Sequence, residues 1–202
     1  MHKTILITGA TDGIGRETAR MLAEQGHTIL AHGRSAEKVE AVVQSLERSE
    51  GYTADLSRPG EVEAMAAAVQ AKHKQIDVLI NNAGVLRTAQ PLTPEGLAVR
   101  FVVNTIAPYV ITQQLLQLIP AAGRVINLSS AAQSPLDLTA FAGQRRLDHM
   151  PAYAQSKLAI TMWTRQMAEE NPDGPVFVAV NPGSLLGTKM VKEGFGMAGN
   201  DI

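Results

Sequence analysis

The sequence predicts a doubly wound α/β domain, in which helices cover both faces of one parallel sheet. Short runs rich in β-branched residues alternate with longer stretches of helical periodicity almost to the end of the chain. These runs are apolar on both faces, which is typical of parallel strands buried between helices. The 202 residues are enough for one such core and contain no linker or internal repeat, so we expect a single domain over residues 1–202.

Six strands are predicted, and the third of them carries the weakest pattern. The predicted strands are Thr4–Thr8, Thr28–Ala31, Tyr52–Ala54, Val78–Ile80, Arg124–Leu128 and Val176–Val180. Helices are predicted over Gly13–Gln25, after a cap at Ser35, from Pro59 to Lys74, over Leu97–Ile119 and over Ala152–Glu170. Pro108 has no N–H to donate within the fourth of these helices and is expected to bend it.

Composition excludes several classes of protein. Lys and Arg total 18 against 19 for Asp and Glu, so no basic field predicts binding to nucleic acid or to an anionic membrane. The chain has no Cys, and its five His never stand four residues apart, so we expect no disulfide, no metal site and a reducing compartment. No apolar run approaches the roughly 18 residues of a membrane span, so we expect a cytoplasmic protein.

A glycine-rich turn joins the first predicted strand to the first helix. Its sequence is Thr8-Gly9-Ala10-Thr11-Asp12-Gly13-Ile14-Gly15. Glycine permits a tight turn and a close approach to a pyrophosphate, and the N–H groups that begin a helix attract negative charge. At the head of a βαβ unit this turn predicts a dinucleotide site, and a simple connecting turn is the alternative.

The end of the second predicted strand favours NADP(H) over NAD(H). An NAD site usually places Asp or Glu here to bind the ribose 2′-hydroxyl, whereas this chain has His32-Gly33-Arg34. The planar guanidinium of Arg34 is suited to the 2′-phosphate of NADP(H), with assistance from Arg16 or His32. The alternative for Arg34 is an exposed loop charge.

Tyr153 and Lys157 stand four residues apart on a predicted helix and therefore share one face. A phenol titrates near pH 10 in isolation, and a neighbouring ammonium stabilises the phenolate and lowers that pKa. The pair predicts a proton carrier tuned toward neutral pH. Ordinary surface residues are the alternative for such a pair taken alone.

Further motifs follow the later strands or, for Asn104, lie in the predicted helix Leu97–Ile119. They are Asn81-Asn82-Ala83-Gly84, Asn104, Ser129-Ser130 and Pro182-Gly183. With the glycine turn and the Tyr153/Lys157 pair, they resemble the short-chain dehydrogenase/reductase family over about residues 4 to 190, in the family's order. The resemblance implies a Rossmann sheet with strand order 3-2-1-4-5-6. It also implies a homodimer, or a higher homo-oligomer, that pairs through Leu97–Ile119 and Ala152–Glu170.

The resemblance also implies the catalytic roles. Tyr153 would exchange a proton with the substrate oxygen, and Ser130, with Ser129 as the alternative, would hydrogen-bond that oxygen. Lys157 would hold the nicotinamide ribose and lower the pKa of Tyr153. Asn104 would anchor a water that links Lys157 to solvent.

The cofactor contacts that the resemblance implies extend along most of the chain. They are Gly9, Thr11, Asp12, Gly13, Ile14, Gly15, Arg34, Asp55, Leu56, Asn82, Ala83, Gly84, Tyr153, Lys157, Pro182, Gly183 and Thr188. For Asp55 a turn residue is the alternative. Asn81 is expected to brace the end of the fourth strand, or only to satisfy buried backbone groups.

Two features depart from compact members of that family. The link Ala131–Ala152 between Ser130 and Tyr153 is long and resembles the retinol-dehydrogenase and protochlorophyllide-reductase branch. We expect it to shape substrate entry at the mouth of the pocket, with a surface ornament as the alternative. The chain also ends at Ile202 without a predicted seventh strand, so a truncated sheet edge is expected, and the glycines of the last dozen residues suggest flexibility there.

The function expected is an NADP(H)-dependent oxidoreductase that acts on a small or medium apolar carbonyl or alcohol. The alternative from another class is a non-catalytic NADP(H)-binding scaffold or redox sensor. No G-x-S-x-G elbow occurs, which leaves a hydrolase without support.

Overall fold

The computed structural model describes residues 2–183, 186–187, 190–192, 196 and 198–200. Within them a single sheet has six strands. The strands are β1 (Thr4–Thr8), β2 (Thr28–Gly33), β3 (Ser49–Thr53), β4 (Val78–Asn81), β5 (Arg124–Leu128) and β6 (Val176–Val180). The helices are α1 (Gly13–Glu24), α2 (Ala36–Ser45), α3 (Pro59–Lys72), α4 (Val99–Phe101), α5 (Ala107–Leu115), α6 (Leu138–Phe141) and α7 (His149–Glu170).

All neighbouring strands are parallel, in the order β3-β2-β1-β4-β5-β6. This confirms the predicted fold class and strand order. The chain moves outward from β1 through β2 to β3, and then returns to pair β4 on the other side of β1. In such sheets the connections diverge above the carboxyl ends of the two central strands and leave a crevice there.

Two apolar layers explain why the strands are hydrophobic on both faces. Leu6, Leu30 and Leu79 belong to one core cluster, with residues of α3, α5 and α7. Ile5 and Ile29 alternate with them and belong to a second cluster, with residues of α1 and α2. Alternation along each strand therefore sends neighbouring side chains to opposite helical layers, and both layers exclude water.

The predicted bend at Pro108 takes the form of a π-helical turn. Residues Val102–Ile106 form this turn between α4 and α5, and the N–H of Ala107 donates to the carbonyl of Val102, five residues earlier. A proline has no N–H and its ring crowds the preceding turn, so an α-helical register is unfavourable there. The π turn places Asn104 within it, at a position where α-helical pairing is already interrupted.

Several predicted boundaries were wrong by a few residues. β3 begins at Ser49 rather than Tyr52, because polar residues of an edge strand pair through main-chain atoms with β2. β2 continues through Gly33 for the same reason. α7 begins at His149 rather than Ala152, because Pro151 lies in its first turn, where no N–H is needed.

A buried polar chain joins β4 and β5 to the helices above them. Asn81 Nδ2 donates to Thr112 Oγ1 (3.0 Å) and to Asn127 Oδ1 (2.8 Å), and Asn127 Nδ2 donates to Thr164 Oγ1 (2.8 Å). These bonds satisfy the amide nitrogens of Asn81 and Asn127, while Asn81 Oδ1 is buried without a hydrogen-bond partner. Asn81 therefore braces the end of β4 from inside the helical layer, as one of its two predicted roles requires.

Candidate active site

A cleft of about 790 Å³ opens above the carboxyl ends of the central strands. Its lining comes from parts of residues 9–14, 32–34, 54–58, 82–94, 99–103, 128–129 and 153–157, with Pro182 and Met190. This is the position at which doubly wound sheets bind ligands. Most of the predicted cofactor residues and Tyr153 therefore share one crevice.

The glycine turn forms one wall of this cleft. Gly9 and Gly13 have φ values of 68° and 49°, which side-chain-bearing residues rarely adopt. A Cβ added at Gly15 would lie 2.2 Å from the Gly9 carbonyl oxygen and 2.3 Å from Asn82 Nδ2. Gly15 does not line the cleft, but its missing side chain allows α1 to approach the turn. Gly13 and Ile14 at the start of α1 are lining residues, and the N–H of Gly13 donates to Asp12 Oδ1 at 2.8 Å.

Asn82 fastens the glycine turn to the end of β4. Its Nδ2 donates to the carbonyl oxygens of Thr8 (2.9 Å) and Gly9 (3.0 Å). The Thr8 hydroxyl in turn accepts the N–H groups of Asn82 and Ala83, both at 3.1 Å. Two neighbouring strand ends are thus held together where the cleft begins.

His32 has a structural role and is not available to a phosphate, contrary to the suggestion that it assists Arg34. It is 2% exposed, its Nδ1 accepts the N–H of Gly9 (3.2 Å), and its Nε2 lies 3.0 Å from the Ala54 carbonyl oxygen. Because Nδ1 accepts and Nε2 donates, the ring is neutral. Burial lowers the pKa of His32, while the bond to Ala54 and the charge of Asp55 oppose that shift.

Arg34, the residue predicted to contact a 2′-phosphate, is one of the lining residues of the cleft. Arg34 is exposed and lines the cleft directly after β2, whereas Arg16 is not among the lining residues. Asp55 and Leu56 also line the cleft. The Asp55 carboxylate accepts the N–H and hydroxyl of Ser57 at 2.9 and 2.7 Å, so Asp55 also forms the turn that was its alternative role.

Tyr153 and Lys157 face the same end of the cleft from one side of α7. The Lys157 ammonium is 5.7 Å from the centre of the Tyr153 ring and donates to the Leu128 carbonyl at 2.6 Å. Lys157 is 4% exposed, and this burial lowers its pKa to about 8. A buried ammonium thus stands one helical turn from a phenol.

The pKa of Tyr153 shifts in the direction opposite to the one predicted. Burial raises the pKa, and hydrogen bonding from Ser130 opposes the rise. The ammonium of Lys157 is engaged by the Leu128 carbonyl rather than by the phenol oxygen. Desolvation of the phenolate therefore outweighs the expected stabilisation by Lys157 in this structure.

The two adjacent serines have different surroundings. The Ser129 hydroxyl donates to the Lys157 carbonyl (2.9 Å) and lies 2.7 Å from the Thr161 hydroxyl, so it is committed to α7. The Ser130 hydroxyl hydrogen-bonds with Tyr153 and accepts the N–H of Ala132. Ser129 is among the lining residues of the cleft and Ser130 is not, so the preference for Ser130 over Ser129 stays a prediction.

Asn104 lies behind the cleft rather than in its lining. Its Oδ1 accepts the N–H of Val85 (2.8 Å), and its Nδ2 donates to the Val85 carbonyl (3.0 Å) and the Ser156 hydroxyl (3.0 Å). A Cβ built on Gly84 would lie 3.5 Å from Asn104 Oδ1 and 3.6 Å from Lys157 Nζ. Asn104 thus positions the segment after β4 against α7, close to the ammonium.

The remaining predicted site residues lie after β6 and in the link before α7. Gly183, with φ 121°, is absent from the lining, while the adjacent Pro182 is part of it. Thr188 lies outside the described residues. No residue of the link Ala131–Ala152 is among the lining residues of the cleft, and its predicted place at the mouth of the pocket stays a prediction.

Sequence reasoning missed the apolar wall of the cleft. Val85, Leu86, Val99 and Val103 are lining residues of the crevice. Val99 and Val103 are four residues apart, a spacing that core residues share, so no sequence signal separates them from the core.

The described residues contain no group of three or more His, Cys, Asp or Glu side chains that could hold a metal ion. None of the described helices is long and apolar enough to cross a membrane.

Comparison with known proteins identifies the family. Residues 3–197 match the family model described as short chain dehydrogenase. The chain belongs to the short-chain dehydrogenase family. It is 34% identical to human retinol dehydrogenase 13 over 194 residues, which cover 90% of this chain and 58% of that relative. It is also 34% identical to mouse retinol dehydrogenase 12, over 91% of this chain and 62% of the relative. These relatives confirm the predicted retinol-dehydrogenase-like branch.

The chain spans about three fifths of the length of these curated relatives. Among solved structures of this family, a short chain dehydrogenase from Burkholderia cenocepacia in complex with NADP is similar with a TM-score of 0.76 and 30% identity. The match covers 93% of this chain and 76% of that one. A short-chain dehydrogenase from Sphingobium yanoikuyae in complex with NADPH has a TM-score of 0.76 and 26% identity, over 98% of this chain and 76% of that one.

We expect Gly15→Ala to weaken the junction between α1 and the glycine turn. The added methyl group meets the Gly9 carbonyl and the Asn82 amide, neither of which can move freely. The loss in the free energy of unfolding should be about 1–3 kcal/mol, measured by urea denaturation. Gly60→Ala is the matched control, because nothing lies within 4 Å of its added Cβ. Equal losses in both variants would contradict the close approach.

His32 makes stability depend on pH in a defined direction. The pKa of His32 in the folded protein is lowered from the ordinary 6.5, so on acidification the unfolded chain binds a proton at this side chain before the folded protein does. The contribution of the neutral His32 to the free energy of unfolding is therefore lost as the pH falls below 6.5. His32→Gln retains an acceptor and a donor but does not titrate, so its free energy of unfolding should fall less than that of the wild type between about pH 8 and pH 5. The exposed His2→Gln should retain the wild-type dependence.

Proposed function

We propose that this chain is the nucleotide-binding and catalytic part of an NADP(H)-dependent oxidoreductase acting on a carbonyl/alcohol pair. The observation that carries the proposal is the placement of Tyr153 and the buried Lys157 at one end of the cleft that the glycine turn lines. Retinol dehydrogenases and a bacterial 3beta-hydroxysteroid dehydrogenase, 32% identical over 83% of this chain and 60% of that relative, support an alcohol or its carbonyl as substrate.

The residues of the cleft fit a dinucleotide. Side chains at Gly9 and Gly15 would collide with Asn82, so the turn packs closely against the end of β4. The main chain of the turn and the start of α1 line the cleft, where they could bind a pyrophosphate. Arg34 provides a guanidinium for a 2′-phosphate, and no carboxylate stands beside it in His32-Gly33-Arg34 to bind a free 2′-hydroxyl. Lys157 and Tyr153 are placed to hold the nicotinamide end. When bound there, the cofactor supplies or accepts the hydride.

The chain's own groups handle the proton and the substrate oxygen. Because burial raises its pKa, the Tyr153 phenol keeps its proton at neutral pH and can give it to a carbonyl oxygen during reduction. Ser130 holds the same oxygen, while the ammonium of Lys157 stabilises the phenolate that remains until a proton returns from solvent. In oxidation, the deprotonated form of Tyr153 would take the proton from the alcohol, and Lys157 would stabilise that phenolate beforehand.

The apolar wall supports an apolar substrate. Val99, Val103, Leu86, Leu92 and Met190 are apolar lining residues of the cleft, and Val99 and Val103 also belong to the core cluster that contains Ala54 and Leu56. A substrate with a hydrocarbon body and one oxygen would bury its body there and place the oxygen at the polar end. The alternative function is a non-catalytic scaffold or sensor, which would bind NADP(H) in the same cleft but would not catalyse a reaction.

Pairing of two copies through α5 and α7 stays a proposal, as does a cytoplasmic location. Tyr109 and Met162, which are 40% and 55% exposed, provide apolar surface on these two helices.

Tyr153→Phe tests catalysis separately from cofactor binding. Removing the hydroxyl should reduce kcat with an apolar aldehyde and NADPH by about 10²- to 10⁴-fold, because proton donation is lost. The Kd of NADPH, measured by fluorescence titration, should stay within a factor of about three. Loss of one peripheral contact changes the binding free energy by much less than the roughly 1.4 kcal/mol that corresponds to a tenfold change in Kd. The exposed Tyr109→Phe is the control and should retain full activity. NADPH binding without turnover in the wild type, across a broad panel of aldehydes and ketones, would favour the scaffold.

Arg34→Glu tests cofactor choice. Replacing the guanidinium with a carboxylate removes a charge-assisted contact and repels the 2′-phosphate, so the Kd of NADPH should rise by about 100-fold while that of NADH changes little. Arg48→Glu makes the same charge change at an exposed site outside the cleft and should leave both affinities unchanged. Similar losses for both cofactors would remove Arg34 from its proposed role.

A further inference from the structure

A second cavity of about 290 Å³ lies beside the proposed active site, and Leu92 lines both. Its walls come from the segment before α4 and from the link that leads into α7. Its lining residues are Pro91, Leu92, Gly96, Ala98, Arg100, Ala140, Gly143, Arg145, Arg146, Leu147, Asp148 and His149. The lining residues thus include three arginines and one histidine. Asp148 is the one acidic residue among them.

Arg100 is the most unusual group in this cavity. It is 1% exposed, yet no described carboxylate lies within ion-pair distance of its guanidinium. Its Nε donates to the Leu86 carbonyl at 2.7 Å, and its Nη2 bonds with Nδ1 of His149. Arginine stays charged in proteins, so these neutral partners leave a buried positive charge uncompensated, and this is costly.

The other charged side chains of the cavity do not balance its positive charge. Arg145 pairs with Asp137 at 2.8 Å, while Arg146 is exposed and makes no ion pair among the described residues. His149 accepts from Arg100 through Nδ1, so it offers an N–H at Nε2. Asp148 precedes α7 and makes no side-chain capping bond, so the first N–H groups of that helix keep their preference for an anion.

We propose that this cavity is a binding site for a small organic or inorganic oxyanion, a carboxylate or a phosphate, which binds Arg100 at its base and Arg146 at its rim. The planar guanidinium fits two oxygens of either group in a bidentate arrangement. The volume is near the lower limit for ligand pockets, which restricts the occupant to a small molecule. The site is separate from the nucleotide cleft and does not depend on the proposed reaction.

Isothermal titration calorimetry of the full chain with inorganic phosphate and with succinate tests this proposal. One of the two should bind with one site per chain and a Kd below about 1 mM. The titrations are repeated with saturating NADPH, which occupies the nucleotide cleft; binding in the second cavity should persist with an unchanged Kd. The tighter ligand of the two identifies the oxyanion as phosphate or carboxylate.

Variants then locate the binding site. Arg100→Gln should weaken binding at least about tenfold, since hydrogen bonds to charged groups contribute about 1.5–3 kcal/mol. Because Arg100 is buried and its variant can lose stability, the exposed Arg146→Gln provides an independent test and should weaken binding by at least about threefold. Arg48→Gln, outside both cavities, should leave the Kd unchanged.

Three results would overturn the proposal: no saturable binding of either ion, loss of binding when NADPH is added, or an unchanged Kd in Arg146→Gln. Each of these measurements is also possible on a chain that shows no oxidoreductase activity.

Discussion

The hydrogen bonds between Asn82 and the glycine turn are the constraint on which the site depends. In this sheet the chain leaves β1 in one direction and β4 in the other, so a crevice between them forms only if the two strand ends stay together. Asn82 holds them through the carbonyls of Thr8 and Gly9, and the missing side chain of Gly15 lets α1 close against the same atoms. His32 ties the turn to β2 and to the end of β3. The cleft is therefore a product of main-chain geometry fixed by a few polar side chains.

The electrostatics of the catalytic end follow from burial. Lys157 and Tyr153 are both drawn out of water, which favours the neutral form of each: the pKa of Lys157 falls to about 8 and that of Tyr153 rises. A protonated phenol beside an ammonium that is easily deprotonated suits a group that first gives a proton and then regains it. In the proposed reaction, a phenolate at Tyr153 would restore the attraction for the ammonium, so Lys157 would act on that phenolate rather than on the resting phenol.

Features carried by local sequence were predicted well. All six strands and the glycine turn rest on runs of adjacent residues, and neighbouring residues decide them. The failures share a different origin. The neutral, buried state of His32 depends on Gly9 and Ala54, which are distant in sequence, and the rise in the pKa of Tyr153 depends on how the whole cleft excludes water. Neither can be read from residue spacing, because the partner or the burial is created only by folding.

The link before α7 shows how the same fold supports a second cavity without altering the first. The ring of Phe141 in α6 packs at an inclined angle against that of Phe101, with 4.9 Å between the ring centres. The N–H of Asp137 donates to the side chain of Gln155 in α7. The link is thus packed against α4 and α7, which argues against a surface ornament. Since Val99 faces the cleft and Arg100, the next residue, faces the second cavity, α4 forms a shared wall one helix thick. A negative charge beside Arg100 would relieve the cost of its burial and so stabilise the wall that the second cavity shares with the cleft.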